Sequence, residues 1–193
     1  MEPFMRERPD NSGLFFSLHD EIIMKKPEPS EYHPYYNGYV QLVEDGNFLQ
    51  ILKENSLQVK SFFGSIKKEK QDYRYEPDKW SIKQVLMHLI DTERVMAYRA
   101  LTVARGDTHT ALPGMDENLF AAHANVTGRT IEDLLNEFLV VRENTSLLFG
   151  YMNDAESAQV GNVLAHAITP RALGYIIIGH AQHHLNIIKQ RYL

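Results

Sequence analysis

The chain has 193 residues, a formal net charge of −5 and 44% apolar residues, which suits one globular domain with its own core and rules out a disordered chain. Its Lys and Arg are scattered, so no stretch tracks nucleic-acid phosphates and no nucleic-acid partner is expected. With no cysteine in the chain, disulfides, thiolate ligands and a cysteine nucleophile are excluded, and a cytoplasmic setting is expected.

No apolar run approaches the roughly 18 residues that span a membrane, so no membrane partner is expected. The early acids Glu2, Glu7 and Asp10 interrupt any apolar h-region, so no secretory leader is expected. Met24-Lys25-Lys26 reads like a natural start, which makes residues 1–23 an upstream extension. That extension is expected to contribute little to the core, although Leu14-Phe15-Phe16 offers an apolar patch. Pro27, Pro29 and Pro34 fix φ and withhold amide protons, so residues 24–36 are expected to be irregular. The division that follows is an irregular N-terminal extension over 1–36 and a helical domain over 37–193.

Within that domain a short helical piece is expected around Tyr39 to Val43, broken off by Asp45-Gly46. Apolar residues at helical spacing then predict a long helix over 47–65. The second, over 81–104, opens on a capping box of Ser81 and Gln84 and stops near Gly106. A polar connection follows, with a short helix expected between Asp116 and Ala124. Thr130 and Asp133 open the third helix, over 130–150. Thr169 as cap and Pro170 at the first helical position open the fourth, over 170–191, because proline's missing amide costs nothing there. The stretch from Gly150 to Gly161 is expected to be irregular, and no segment alternates as a strand does. The prediction is an all-α four-helix bundle.

Nine histidines are present. At about 100° per residue, His180 and His184 lie about 40° apart, both inside the apolar stripe formed by Leu173, Ile176, Ile177 and Ile187. An i,i+4 pair has Cβ atoms roughly 5–6 Å apart, so both rings can reach one ion at about 2.0–2.1 Å. Otherwise each is a core histidine that needs a buried partner. His88 lies mid-helix on the flank of the second stripe, and with it the metal reading gains weight. Three histidines from two helices form a half-shell with room for water or substrate. Zinc proteases need Glu after the first histidine, and Ala181 stands there. His183 falls at the margin of the stripe. His19, His33, His109, His123 and His166 read as surface or loop residues. Glu93 falls inside the apolar stripe and is either a structural ion pair or a base.

The run from Lys79 to Arg94, with His88 at its centre, resembles the second-helix signature of the DinB-like (YfiT-type) four-helix metalloproteins. Gly179-His180-Ala181-Gln182-His183-His184-Leu185-Asn186 resembles their last-helix signature, and the likeness covers about residues 37–193. Leu112 to Asn118 is similar to the corresponding connection of an uncharacterised branch. The resemblance implies up-up-down-down connectivity and a divalent ion, with nickel or zinc foremost among first-row metals. It implies that His88, His180 and His184 hold that ion, with water at the remaining positions. Relatives of this kind include bacillithiol transferases, mycothiol-dependent maleylpyruvate isomerase and metal-dependent hydrolases.

Two functions follow as expectations. One is a metal-dependent enzyme acting on a small molecule, either as a thiol S-transferase whose thiol comes from outside the chain or as a hydrolase. Arg99, Glu93 and His183 are then candidate helpers, with no catalytic residue assigned. The other is a non-catalytic metal-binding or partner-binding bundle that the ion stabilises. A homodimer is compatible with either.

Overall fold

Asn47 accepts from the Gln50 amide and starts the first of four long helices in a computed structural model that describes residues 24–193. This helix, α2, spans Phe48–Gly64; α1 is the short piece Asn37–Val40 before it. α3 spans Ile82–Ala104 and α4 is the short Glu117–His123. α5 spans Ile131–Gly150, α6 is Asp154–Ser157, and α7 spans Pro170–Arg191. The caps are those the sequence signals. Ser81 with Gln84 and Thr130 with Asp133 form reciprocal capping boxes, and Thr169 accepts from the Ala172 amide.

The all-α bundle forms as expected, with α2 and α3 each packed against both α5 and α7. Two apolar clusters show how the helices run. One joins the starts of α2 and α7 to the ends of α3 and α5, through Phe48, Leu173, Val103 and Phe149. The other joins the opposite ends, through Phe63, Ile188, Leu86 and Leu134. From α2 onward the directions are therefore up, down, down, up, which shifts the expected up-up-down-down order by one helix. The cause is the connection over 105–130, which returns the chain along the bundle so that α5 runs parallel to α3.

A buried polar layer lies between the two clusters. Arg142 clasps Glu93 with Nε to Oε1 at 2.8 Å and Nη2 to Oε2 at 2.9 Å. Its Nη1 donates to Asn55 Oδ1 at 2.9 Å and to the Leu52 carbonyl at 3.3 Å. Both charged side chains are 3% exposed.

Two local features depart from the sequence reading. Among the described residues the chain also forms three short strands: β1 (Ala111–Leu112), β2 (Gly161–Val163) and β3 (His166–Ile168). β1 pairs parallel with β2, and β2 antiparallel with β3. Strands of two or three residues are too short to display alternation. The β2–β3 turn uses Leu164 and Ala165 at φ 51° and 65°, where glycine or asparagine would have signalled a hairpin. The segment 24–36 also carries more structure than its prolines suggest. It makes 3-10 turns at Pro29–Glu31 and Pro34–Tyr36 and places Met24 and Tyr32 in the core. Glu31 is tied to Thr169 and Arg171 at the start of α7. Residues 1–23, including Leu14-Phe15-Phe16, lie outside the described residues. No described helix is long and apolar enough to cross a membrane.

Candidate metal centre

α3 and α7 run antiparallel, which sets the early part of α3 beside the second half of α7 and brings His88, His180 and His184 together. His180 Nε2 lies 3.0 Å from His88 Nε2 and 3.1 Å from His184 Nε2. The candidate ligand atoms of all three rings lie within 4.8 Å of one another. His88 is 8% and His180 7% exposed.

The surroundings fix the rings. Thr92 Oγ1 lies 3.4 Å from His88 Nδ1, so an Nδ1–H donating to that hydroxyl leaves the Nε2 lone pair facing the cluster. Trp80, just before α3, sets its ring 4.6 Å from His88 and nearly parallel to His184 at 6.4 Å. Tyr39 meets His180 and His183 edge-on at 5.4 and 5.2 Å. Gly179 permits this approach, because a Cβ there would overlap the Tyr39 carbonyl oxygen.

Burial sets the protonation state. It pushes His88 down to about 4 and, with help from neighbouring His88 and His183, His184 down to about 3. His180 is lowered well below its ordinary value, first by burial and then by His184, His88 and His183. At neutral pH all three rings are uncharged, the form that donates a lone pair.

The donor set fits a cation. A ring nitrogen has one in-plane position, filled by a proton or a lone pair. His180 Nε2 faces two other nitrogens and can satisfy only one of them by hydrogen bonding. One ion receives all three lone pairs. Two nitrogens about 2.1 Å from one ion and at right angles lie about 3.0 Å apart, close to the two short separations here. The histidine triad could therefore bind a metal ion.

The triad forms part of the wall of a cavity of about 600 Å³. Other parts of the wall are Trp80, Thr92, Met96 and Arg99, the aromatic rings of Tyr36 and Tyr39, and the β2–β3 hairpin through Val163, Leu164 and Ile168. His183 also lines it and is half-buried.

The remaining candidates separate clearly. Glu93 is fully engaged by Arg142 and offers no free carboxylate for proton transfer. His33 and His166, expected as surface or loop residues, meet with tilted rings 4.2 Å apart on the cavity wall. His109 and His123 are exposed and line no part of it, and His19 lies outside the described residues. The sequence reading missed Trp80, Tyr39 and the hairpin, none of which sits on an amphipathic stripe. Arg142 and Asn55 did leave a signal, as polar residues inside the apolar stripes of α5 and α2.

Residues 53–188 match the family model of the DinB superfamily. Among solved structures, YfiT from Bacillus subtilis, described as "a probable metal-dependent hydrolase with an unusual four-helix bundle topology", is similar in fold. Its TM-score is 0.67 at 17% sequence identity, over 86% of this chain and 91% of that one. No curated protein matches the chain significantly.

Proposed function

This chain belongs to the DinB superfamily, and we propose that it is a metal-dependent enzyme that transforms a small molecule, with His88, His180 and His184 holding the ion. The observation that carries this reading is three neutral histidines on the wall of a cavity of about 600 Å³. Structural metal sites are closed by four protein ligands, whereas catalytic ones keep a position for water or substrate. Imidazole donors suit nickel and zinc among first-row ions. Once bound, such an ion supplies Lewis acidity and lowers the pKa of a water or thiol.

The chain's own residues supply the rest. Trp80 and Tyr39 cover two sides of the triad and exclude bulk water there. Thr92 holds the His88 tautomer. His183, on the wall beside His184 at a ring distance of 5.3 Å, is a titratable group placed to move a proton to or from a bound ligand. The chain has no cysteine, so a sulfur nucleophile would come from solution as a low-molecular-weight thiol, and the hydrolytic form would use water. The description of YfiT as "a probable metal-dependent hydrolase" supports the hydrolytic form.

The test is metal analysis of purified protein, then turnover of activated esters and amides beside a thiol-plus-electrophile screen. Metal-dependent turnover in either screen is the expected result. A protein that holds one equivalent of metal and turns over neither class would be a metal-binding bundle without catalysis.

A further inference from the structure

The cavity wall holds a cation that the metal chemistry leaves unused. Arg99 is 3% exposed and lines the cavity. The other buried arginine, Arg142, has Glu93, the buried Lys83 has Asp72 and the half-buried Arg171 has Glu31. The partners of Arg99 are neutral. Its Nη2 donates to the Pro113 carbonyl at 2.6 Å, its Nη1 contacts Met96 Sδ at 3.4 Å, and the Tyr36 side chain completes the set. A guanidinium has five N–H donors and stays charged in proteins, so donors remain. A buried charge without a counter-charge is costly, and an anion entering the cavity removes that cost.

Placement gives the ligand a shape. His88, Thr92, Met96 and Arg99 share one face of α3 and all line the cavity. At about 1.5 Å rise per residue, the His88 and Arg99 backbones are about 16 Å apart. The Arg99 side chain folds back onto Met96, which brings its charge to on the order of 10 Å from the imidazole. Thr92 and Met96 form the wall between. Glu117 also lines the cavity and is exposed, so solvent screens its charge.

We propose that the cavity takes an elongated small molecule with a carboxylate or phosphate group held by Arg99 and its reacting group at the histidine triad. The reacting end rests on the metal-enzyme reading; the anion site needs no metal.

The experiment is calorimetric titration of the full chain, stripped of metal, with glutarate and separately with inorganic phosphate. Saturable one-to-one binding of at least one probe is expected, and the probe that binds says whether the group is a carboxylate or a phosphate. Arg99→Met should weaken that binding by about tenfold or more, since it removes charge-assisted hydrogen bonds. Arg99→Lys keeps a charge but loses the planar fork and should weaken it several-fold. It decides the matter if the Arg99→Met protein does not fold. Binding that is unchanged in Arg99→Met, or in Arg99→Lys where the first does not fold, overturns the proposal, as does wild-type protein that binds neither probe. Uptake of added zinc or nickel is then measured on the same stripped preparation. Anion binding without metal uptake would sink the metal reading alone, and metal uptake without anion binding would sink this inference alone.

Discussion

His88, His180 and His184 differ from the other histidines in their company. Each is uncharged at neutral pH through burial, and each turns its Nε2 toward the other two. His88→Ala and His184→Ala should each lose tight metal binding, because two nitrogens hold a first-row ion poorly against water. His109→Ala, an exposed change, should keep it. His183→Ala should also keep it, with weaker affinity through a lost neighbouring contact. Metal content of the four purified variants decides this, and full occupancy in His88→Ala would defeat the three-histidine site. The triad was legible because two residues four apart on an apolar stripe must share a face. Glu93 was legible as an anomaly, but its partner was not: which of three stripes supplies the counter-charge depends on how the helices are arranged. Arg142→Met should cost about 3–5 kcal/mol in urea unfolding, since it leaves Glu93 charged and buried without a partner. A loss under about 1 kcal/mol would mean that the layer is dispensable.

Helices announce themselves by periodicity and caps, and the four long ones were readable for that reason. Ser81 with Gln84, Thr130 with Asp133, and Thr169 before Pro170 each mark a start by chemistry that acts within four residues. The hairpin over the cavity has no such local code, since Leu164 and Ala165 take positive φ against their own preference. The segment 24–36 was also opaque, because its anchor is 140 residues away in sequence: Arg171 and Thr169 bind the Glu31 carboxylate. Burial pushes that carboxyl up, but hydrogen bonds from Arg171, the Glu28 amide and Thr169 outweigh it and hold the group below its ordinary value of 4.5. A carboxylate lowered in the folded state adds stability above its unfolded value, and that stability is lost as pH falls below about 4.5. Wild-type protein should therefore lose stability more steeply below that pH than Glu31→Gln, as read by unfolding midpoints across a pH series. Parallel curves would show that the anchor contributes nothing.

With an ion at the proposed site, the whole bundle would be coupled to it by mass action. α3 and α7 each carry proposed ligands, so an ion that binds the folded chain would resist their separation. At free metal 100 times Kd this adds about 2.7 kcal/mol, or about 5–10 °C in Tm for a chain of this size. Chelation should lower Tm by that order and restored metal should recover it; an unmoved Tm would deny the ion any part in the fold. The placement of Trp80 has a consequence for anyone handling the protein. It is the chain's sole tryptophan, and its ring lies over His88 and His184. The molecule thus carries a built-in optical gauge at its most informative point. Zinc, with a filled d shell, leaves the indole emission bright, whereas an open-shell ion such as nickel drains the excited state at this range. A cuvette measurement of brightness against added metal thus reports arrival at the triad and sorts closed-shell from open-shell occupants.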